Sequence, residues 1–210
     1  MRTLDFVRQA VVVTLVAGLA LACSVARAPA QQGGLTIQLD LARMVDEAEN
    51  VVLARVTSVV AEKHPEFENL DTVVVTLQVL DPIKGSPGAQ LTFRQYVFDV
   101  HDRDAKLGYR VGEEVVLLLR RPSQYGLTSP VGLEQGRFRV ERDALNIRLL
   151  RNGMDNAGLF SGIDQTSPRL RPRLSQPMQQ LTIEHRAGPI TYDQFKSFVQ
   201  NAVAARQAAQ

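Results

Sequence analysis

Residues 98–104, "FDVHDRD", gather four groups able to exchange a proton or hold a cation: Asp99, His101, Asp102 and Asp104. Strand-like alternation puts Asp99 and His101 on one side, which is the beginning of a metal site. No second histidine stands at ligand spacing, so a solvated acidic loop is the expected state. His64 precedes Pro65 in a charged connector and is expected to be exposed, and His185 lies beside Arg186 in a polar tail. Nucleophile signatures are missing. No G-x-S-x-G turn presents a serine, and Ser161 of "LFSGID" falls in weakly patterned sequence. Glu113 and Glu114 are adjacent, so on a strand they point to opposite faces rather than sharing a proton. Without a G-x-G-x-x-G turn or P-loop, no cofactor is expected. These observations favour a non-enzyme. The alternatives are an enzyme with its site around residues 99–112, or an inhibitor or regulator of an envelope or extracellular enzyme.

Basic and aromatic residues point to binding instead. Arg55, Arg94, Arg137 and Arg139 fall on predicted outward faces of strands, and Tyr96 shares the face of Arg94. Guanidinium and aromatic groups on one outward sheet face suit an oligomeric ligand. Arg55, Arg94 and Tyr96 are therefore the candidate ligand-binding residues, and no metal residue is assigned. The chain carries 24 Lys and Arg against 22 Asp and Glu. Arg2, Arg8 and Arg27 against Asp5 fall within the first 30 residues, so the remainder is neutral. A neutral chain has no general electrostatic reason to bind nucleic acid. The expected partner is a protein or polysaccharide of the cell envelope. Arg169, Arg171 and Arg173 of "SPRLRPRLSQP" form a smaller basic feature in the tail.

The elements that must position these residues follow from hydrophobic periodicity. Arg2 and Arg8 bracket a charged start, and "AVVVTLVAGLALA", residues 10–22, is an apolar run of signal-peptide length. It is short for a bilayer span. Cleavage after Ala28-Pro29-Ala30 would leave Gln31 first and remove Cys23, the chain's one cysteine. Alternatively "ALAC" is a lipobox with Cys23 as the lipidated residue, or the segment is a plain membrane anchor. The reading is of a periplasmic or secreted protein, with a lipoprotein as its alternative and no stable span in the mature chain.

Residues 31–37 read as a flexible lead-in and 38–150 as an OB-like β-barrel domain that opens on a short amphipathic helix over 37–50. "VVLARVTSVVA", residues 51–61, places Val52, Ala54, Val56 and Val60 on one face. "TVVVTLQVLDPIKG", residues 72–85, alternates strongly and is expected to stop at Asp81-Pro82. "AQLTFRQYVF", 89–98, is a third strand. "EEVVLLLRR", 113–121, is a continuous apolar run, as for a strand covered on both faces. "GRFRVERD", 136–143, turns Phe138 and Val140 inward, and "LNIRLL", 145–150, either continues the sheet or pairs locally. Residues 151–188 are rich in Gly, Pro and Arg and read as mobile. Residues 189–210 carry Phe195, Phe198, Val199 and Val203 on one helical face, with Thr191 and Gln194 at capping-box spacing.

The expected fold is mainly β: a small five- to six-stranded OB-like barrel with a short N-terminal and a C-terminal helix. "ENVVLARVTSV", "VVVTLQVLDPIKG", "RVGEEVVLLLRR" and "GLEQGRFRV" together resemble the OB-fold domain of the netrin and tissue-inhibitor-of-metalloproteinases type, and bacterial exported proteins carrying that domain. The similarity covers about residues 38–142. It implies a barrel fold. Inhibitors of that type chelate their target's zinc through an N-terminal cysteine, which a chain beginning at Gln31 lacks, so inhibition by that route is not implied.

Overall fold

The computed structural model describes residues 37–208. The signal-like segment, both processing sites and Cys23 lie outside the described residues. Helix α1, Leu41–Glu47, begins where the Asp40 carboxylate accepts a hydrogen bond from Arg43 N at 2.9 Å. That is an N-cap satisfying an otherwise orphan donor. Two 14-residue strands follow, β1 (Asn50–Lys63) and β2 (Asp71–Lys84), then β3 (Gln90–Tyr96). Strand β2 runs past its expected stop. Pro82 still pairs opposite Val52, because register shifts flank the site and a bulge tolerates a residue without an N–H.

A five-residue helix α2, Val100–Asp104, replaces the expected irregular stretch. Strands β4 (Glu114–Leu119), β5 (Arg137–Arg142) and β6 (Arg148–Asn152) come next. Helices α3 (Ile163–Thr166) and α4 (Gln176–Glu184), a two-residue strand β7 (Ile190–Thr191) and helix α5 (Tyr192–Gln207) complete the order. The expected capping box forms: Gln194 N donates to Thr191 Oγ1 at 3.2 Å, and Thr191 N donates to Gln194 Oε1 at 3.0 Å.

All seven strands form one antiparallel sheet, ordered β3-β2-β1-β4-β5-β6-β7. The sheet is open, so the expected five- to six-stranded OB-like barrel is corrected to one open sheet of seven strands. Beyond β5, the sheet grows by β6 and β7, whose Leu150 and Ile190 are buried in the core that also holds Phe195 and Phe198 of α5. At the other edge, β3 meets only the β4–β5 connection. Thr128 N donates to Arg94 O at 2.9 Å, and the parallel bridge between Arg94 and Leu127 remains isolated.

Each sheet face builds a separate core. One face, with Val51, Leu53, Val116, Leu118, Phe138 and Leu150, packs against α1 and α5. The other curls around Val52, Ala54, Val56, Val73, Val75, Leu77, Phe93, Val115 and Leu117. Strand β4 is buried on both faces, as its unbroken apolar run requires. Val60 departs from its predicted inward face. A register shift between Val56 and Ser58 inverts the parity, so Val59 is buried and Val60 is 45% exposed.

Residues 151–188 are packed rather than mobile. Leu159, Phe160, Ile163, Leu170, Leu174 and Met178 all enter the helix-side core. Their irregular spacing between glycines and prolines conceals this from a periodicity search. The described residues 37–208 form one compact unit, so residues 151–188 and the C-terminal helix pack with the β domain.

Candidate ligand-binding face

The helix-side face of the sheet is only partly covered. Beyond Leu53, that face continues through Arg55, Ser58, Val60 and Glu62 of β1, none of them buried. Opposite them stand Gln78, Thr76, Val74 and Thr72 of β2. Thr92, Arg94 and Tyr96 of β3 pair with Thr76, Val74 and Thr72. All three predicted residues thus share one face, but they do not meet. Arg55 is opposite Gln78, while Tyr96 is opposite Thr72, six residues or about 20 Å along β2.

Each of the three is held by neighbours. Arg94 Nη1 donates to Thr72 Oγ1 at 2.8 Å and Nη2 to Glu62 at 2.7 Å. Tyr96 meets Phe98 edge to face, with ring centroids 4.5 Å apart. Phe98 is 81% exposed, so this aromatic pair ends in a free ring. Arg55 Nη2 donates to Glu114 Oε1 at 2.9 Å.

Glu114 is the pivot of the opposite end. Its Oε2 accepts from Arg142 Nη2 at 3.3 Å and Arg148 Nε at 3.2 Å. The pairing Arg55–Glu114 comes from the β1–β4 register, and Arg142–Arg148 from the β5–β6 hairpin. Burial of Glu114 opposes its ionisation. Hydrogen bonds from Arg55 and Arg148, with the charges of Arg148 and Arg142, outweigh burial and hold the carboxyl below the usual carboxylate range. Sequence reasoning missed Phe98, Glu114, Arg142 and Arg148. Phe98 had a signal, since it is two residues beyond Tyr96 and keeps its parity. The other three depend on strand order, which local pattern does not encode.

Other predicted residues lie elsewhere. Arg137, expected outward, is buried; its guanidinium sits 4.5 Å from the Tyr109 ring centroid and bonds Glu134 at 2.5 Å. Burial raises the Tyr109 hydroxyl above the usual tyrosine range. Arg139 is exposed on the opposite face from Phe138. His64, expected exposed, is buried. Its Nδ1 accepts from Glu66 N at 3.1 Å, which leaves Nε2 to donate to Tyr125 O at 2.9 Å. His64 therefore ties two loops together.

In the 99–112 stretch, Asp99 caps α2 by accepting from His101 N at 2.6 Å and contacts His101 Nδ1 at 2.8 Å. The hydrogen bond to Asp99 raises the His101 pKa. Asp104 is engaged by Arg103 at 3.2 Å. Among the described residues, no group of three or more His, Cys, Asp or Glu side chains is placed to hold a metal ion.

No family model, curated protein or solved structure matches this chain.

A separate cleft of about 470 Å³ lies at the end of α1, lined by Asp46, Glu49, Lys84, Arg121 and Arg206 among others. Lys84 Nζ donates to Val45 O at 2.5 Å and Ala48 O at 2.6 Å. It caps the last carbonyls of α1, a favourable place for a cation. Burial lowers the Lys84 pKa. Arg206 pairs with Asp46 at 2.8 Å, and Arg121 with Glu49 at 3.5 Å. The cleft's charges are mutually engaged, and its lysine has a structural task.

Proposed function

We propose that this protein is an exported, non-enzymatic binding module whose uncovered sheet face takes a protein or polysaccharide of the cell envelope. The observation that carries this reading is the continuous open face from Arg55 to Tyr96. It offers a free aromatic ring at one end, arginines at the other, and between them hydroxyl and amide side chains beside exposed Val60 and half-buried Val74. Arg55 and Arg94 are already held by Glu114, Thr72 and Glu62, so a ligand bears less of the cost of ordering them. The OB-type resemblance supports the same face, because OB-folds bind oligomers across strands two and three. Export is supported by the charged start and the apolar run over residues 10–22. No helix of the described residues is long and apolar enough to cross a membrane.

The reading is tested by immobilising the protein and comparing what it captures from an envelope extract with the capture by two variants. Thr92→Glu places a charge at the centre of the face. Arg139→Glu changes charge on the opposite face. Loss of the captured species with the first and retention with the second is expected. Equal capture by both would remove the face from consideration.

A further inference from the structure

The two ends of the open face carry different chemistry. At one end, three guanidinium groups surround one carboxylate, leaving a surplus of two positive charges. The Glu114 side chain is 13% exposed, whereas those of Arg55, Arg142 and Arg148 are 48%, 42% and 36% exposed. The carboxylate thus lies beneath and the arginines above it, with most of their N–H donors free. The neighbouring Asp81 does not cancel the surplus, since Lys196 and the Tyr192 hydroxyl already engage it at 2.5 and 2.7 Å. At the other end, Phe98 projects from its edge contact with Tyr96. Between them run Ser58, Thr76 and Thr92, with Thr92 Oγ1 donating to Thr76 Oγ1 at 3.3 Å.

We infer that this strip binds an acidic polysaccharide, with a carboxylate of the chain held by Arg55, Arg142 and Arg148 and a sugar ring stacked on Phe98. The inference rests on the binding-face reading above and narrows its ligand class. Three features select this class. Arginine forks match planar carboxylates and can hold them with two hydrogen bonds. The strip spans about 20 Å of β2, too long for a single small anion and suited to an extended polymer. Its middle offers the hydroxyls of Ser58, Thr76 and Thr92 beside the exposed apolar side chain of Val60, a mixture that suits the hydroxyls and apolar ring faces of a sugar. Glu114 acts as a resident anion. It orders the three arginines before binding and competes with the incoming carboxylate for them.

The test is calorimetric titration of the protein with a galacturonic acid oligomer. The comparison arms are a neutral glucose oligomer of equal length, an oligoglutamate peptide and inorganic phosphate. The galacturonate oligomer should bind, and more weakly as salt rises, since half-exposed charges are screened. Arg55→Gln and Arg148→Gln should each cost about tenfold in affinity, the low end for a hydrogen bond to a charged group. Phe98→Ala should weaken the galacturonate oligomer with the melting temperature unchanged. Glu114→Gln provides the sharpest readout. It should tighten galacturonate binding even though it lowers stability, because a competing anion is removed.

Tighter binding in Glu114→Gln is not expected of a merely structural carboxylate. Weaker binding by a folded Glu114→Gln variant would overturn the inference. So would equal binding of the neutral oligomer, or oligoglutamate binding that ignores Phe98→Ala. Phosphate binding alone would reduce the cluster to an isolated anion site and equally overturn it. Failure of the galacturonate oligomer to bind refutes the ligand class, whereas the capture comparison with Thr92→Glu judges the face itself.

Discussion

Gly85→Ala tests how β2 is joined to α1. Gly85 has φ +83°, a left-handed conformation that costs an L residue about 1–2 kcal/mol. A Cβ there would lie 2.3 Å from Asn50 Oδ1 and 2.8 Å from Glu49 O. Asn50 can rotate its amide away, but the Glu49 carbonyl is backbone and must shift. That displacement would also disturb Lys84, whose ammonium group caps Val45 O and Ala48 O. Alanine restricts the unfolded chain and recovers about 0.4–1 kcal/mol. The net loss should therefore be about 1–3 kcal/mol, read as a lower urea midpoint at unchanged slope. Asn50→Ala in the Gly85→Ala background should restore only part of this, because the carbonyl contact remains. Unchanged or increased stability for Gly85→Ala would refute the close approach of the turn to Glu49.

Three further outcomes are expected. Leu77→Ala removes a fully buried side chain from the second core and should cost about 2–5 kcal/mol in urea unfolding, whereas exposed Gln78→Ala should cost well under 1 kcal/mol. Thr191→Ala should cost about 0.5–2 kcal/mol by breaking the capping box, and Thr191→Ser should retain most of it. The Glu114 and Asp81 carboxyls are both held below their usual values of 4.5 and 3.8. Burial opposes this at each, but hydrogen bonds from arginine, and from Lys196 and Tyr192, prevail. Their contribution is thus fully present above those values and is lost as pH falls through the depressed ones. The melting temperature should fall on acidification below about pH 4.5, and less steeply in Glu114→Gln. A variant whose acid profile matches the parent's would contradict the arginine cluster.

How much of this was readable in the sequence depended on whether the signal was local. The strong alternation of Val73, Val75 and Leu77, the unbroken apolar run of β4 and the Thr191–Gln194 box all appear in the structure as expected. Each is set within a few residues. Closure of the sheet is not local: it turned on whether β3 meets the β4–β5 connection along its length or only at Arg94 and Leu127. The bulge after Val56 inverted the face of Val60 without any glycine or proline to announce it. At the site, shared parity brought Arg94 and Tyr96 to one face. The Glu114 cluster draws on three strand pairings spread over 94 residues, from Arg55 to Arg148, and no spacing rule reaches that far.

The central claim is that the open face between Phe98 and Glu114 is where a ligand sits. Backbone amide chemical shifts of the labelled protein, followed through titration with the galacturonate oligomer, test it most directly. The largest shifts should fall on Ser58, Thr76, Thr92 and Phe98 and on the side-chain Nε–H signals of Arg148. Shifts confined to Lys84, Arg121 and Arg206 at the cleft beside α1, with the sheet face silent, would contradict it.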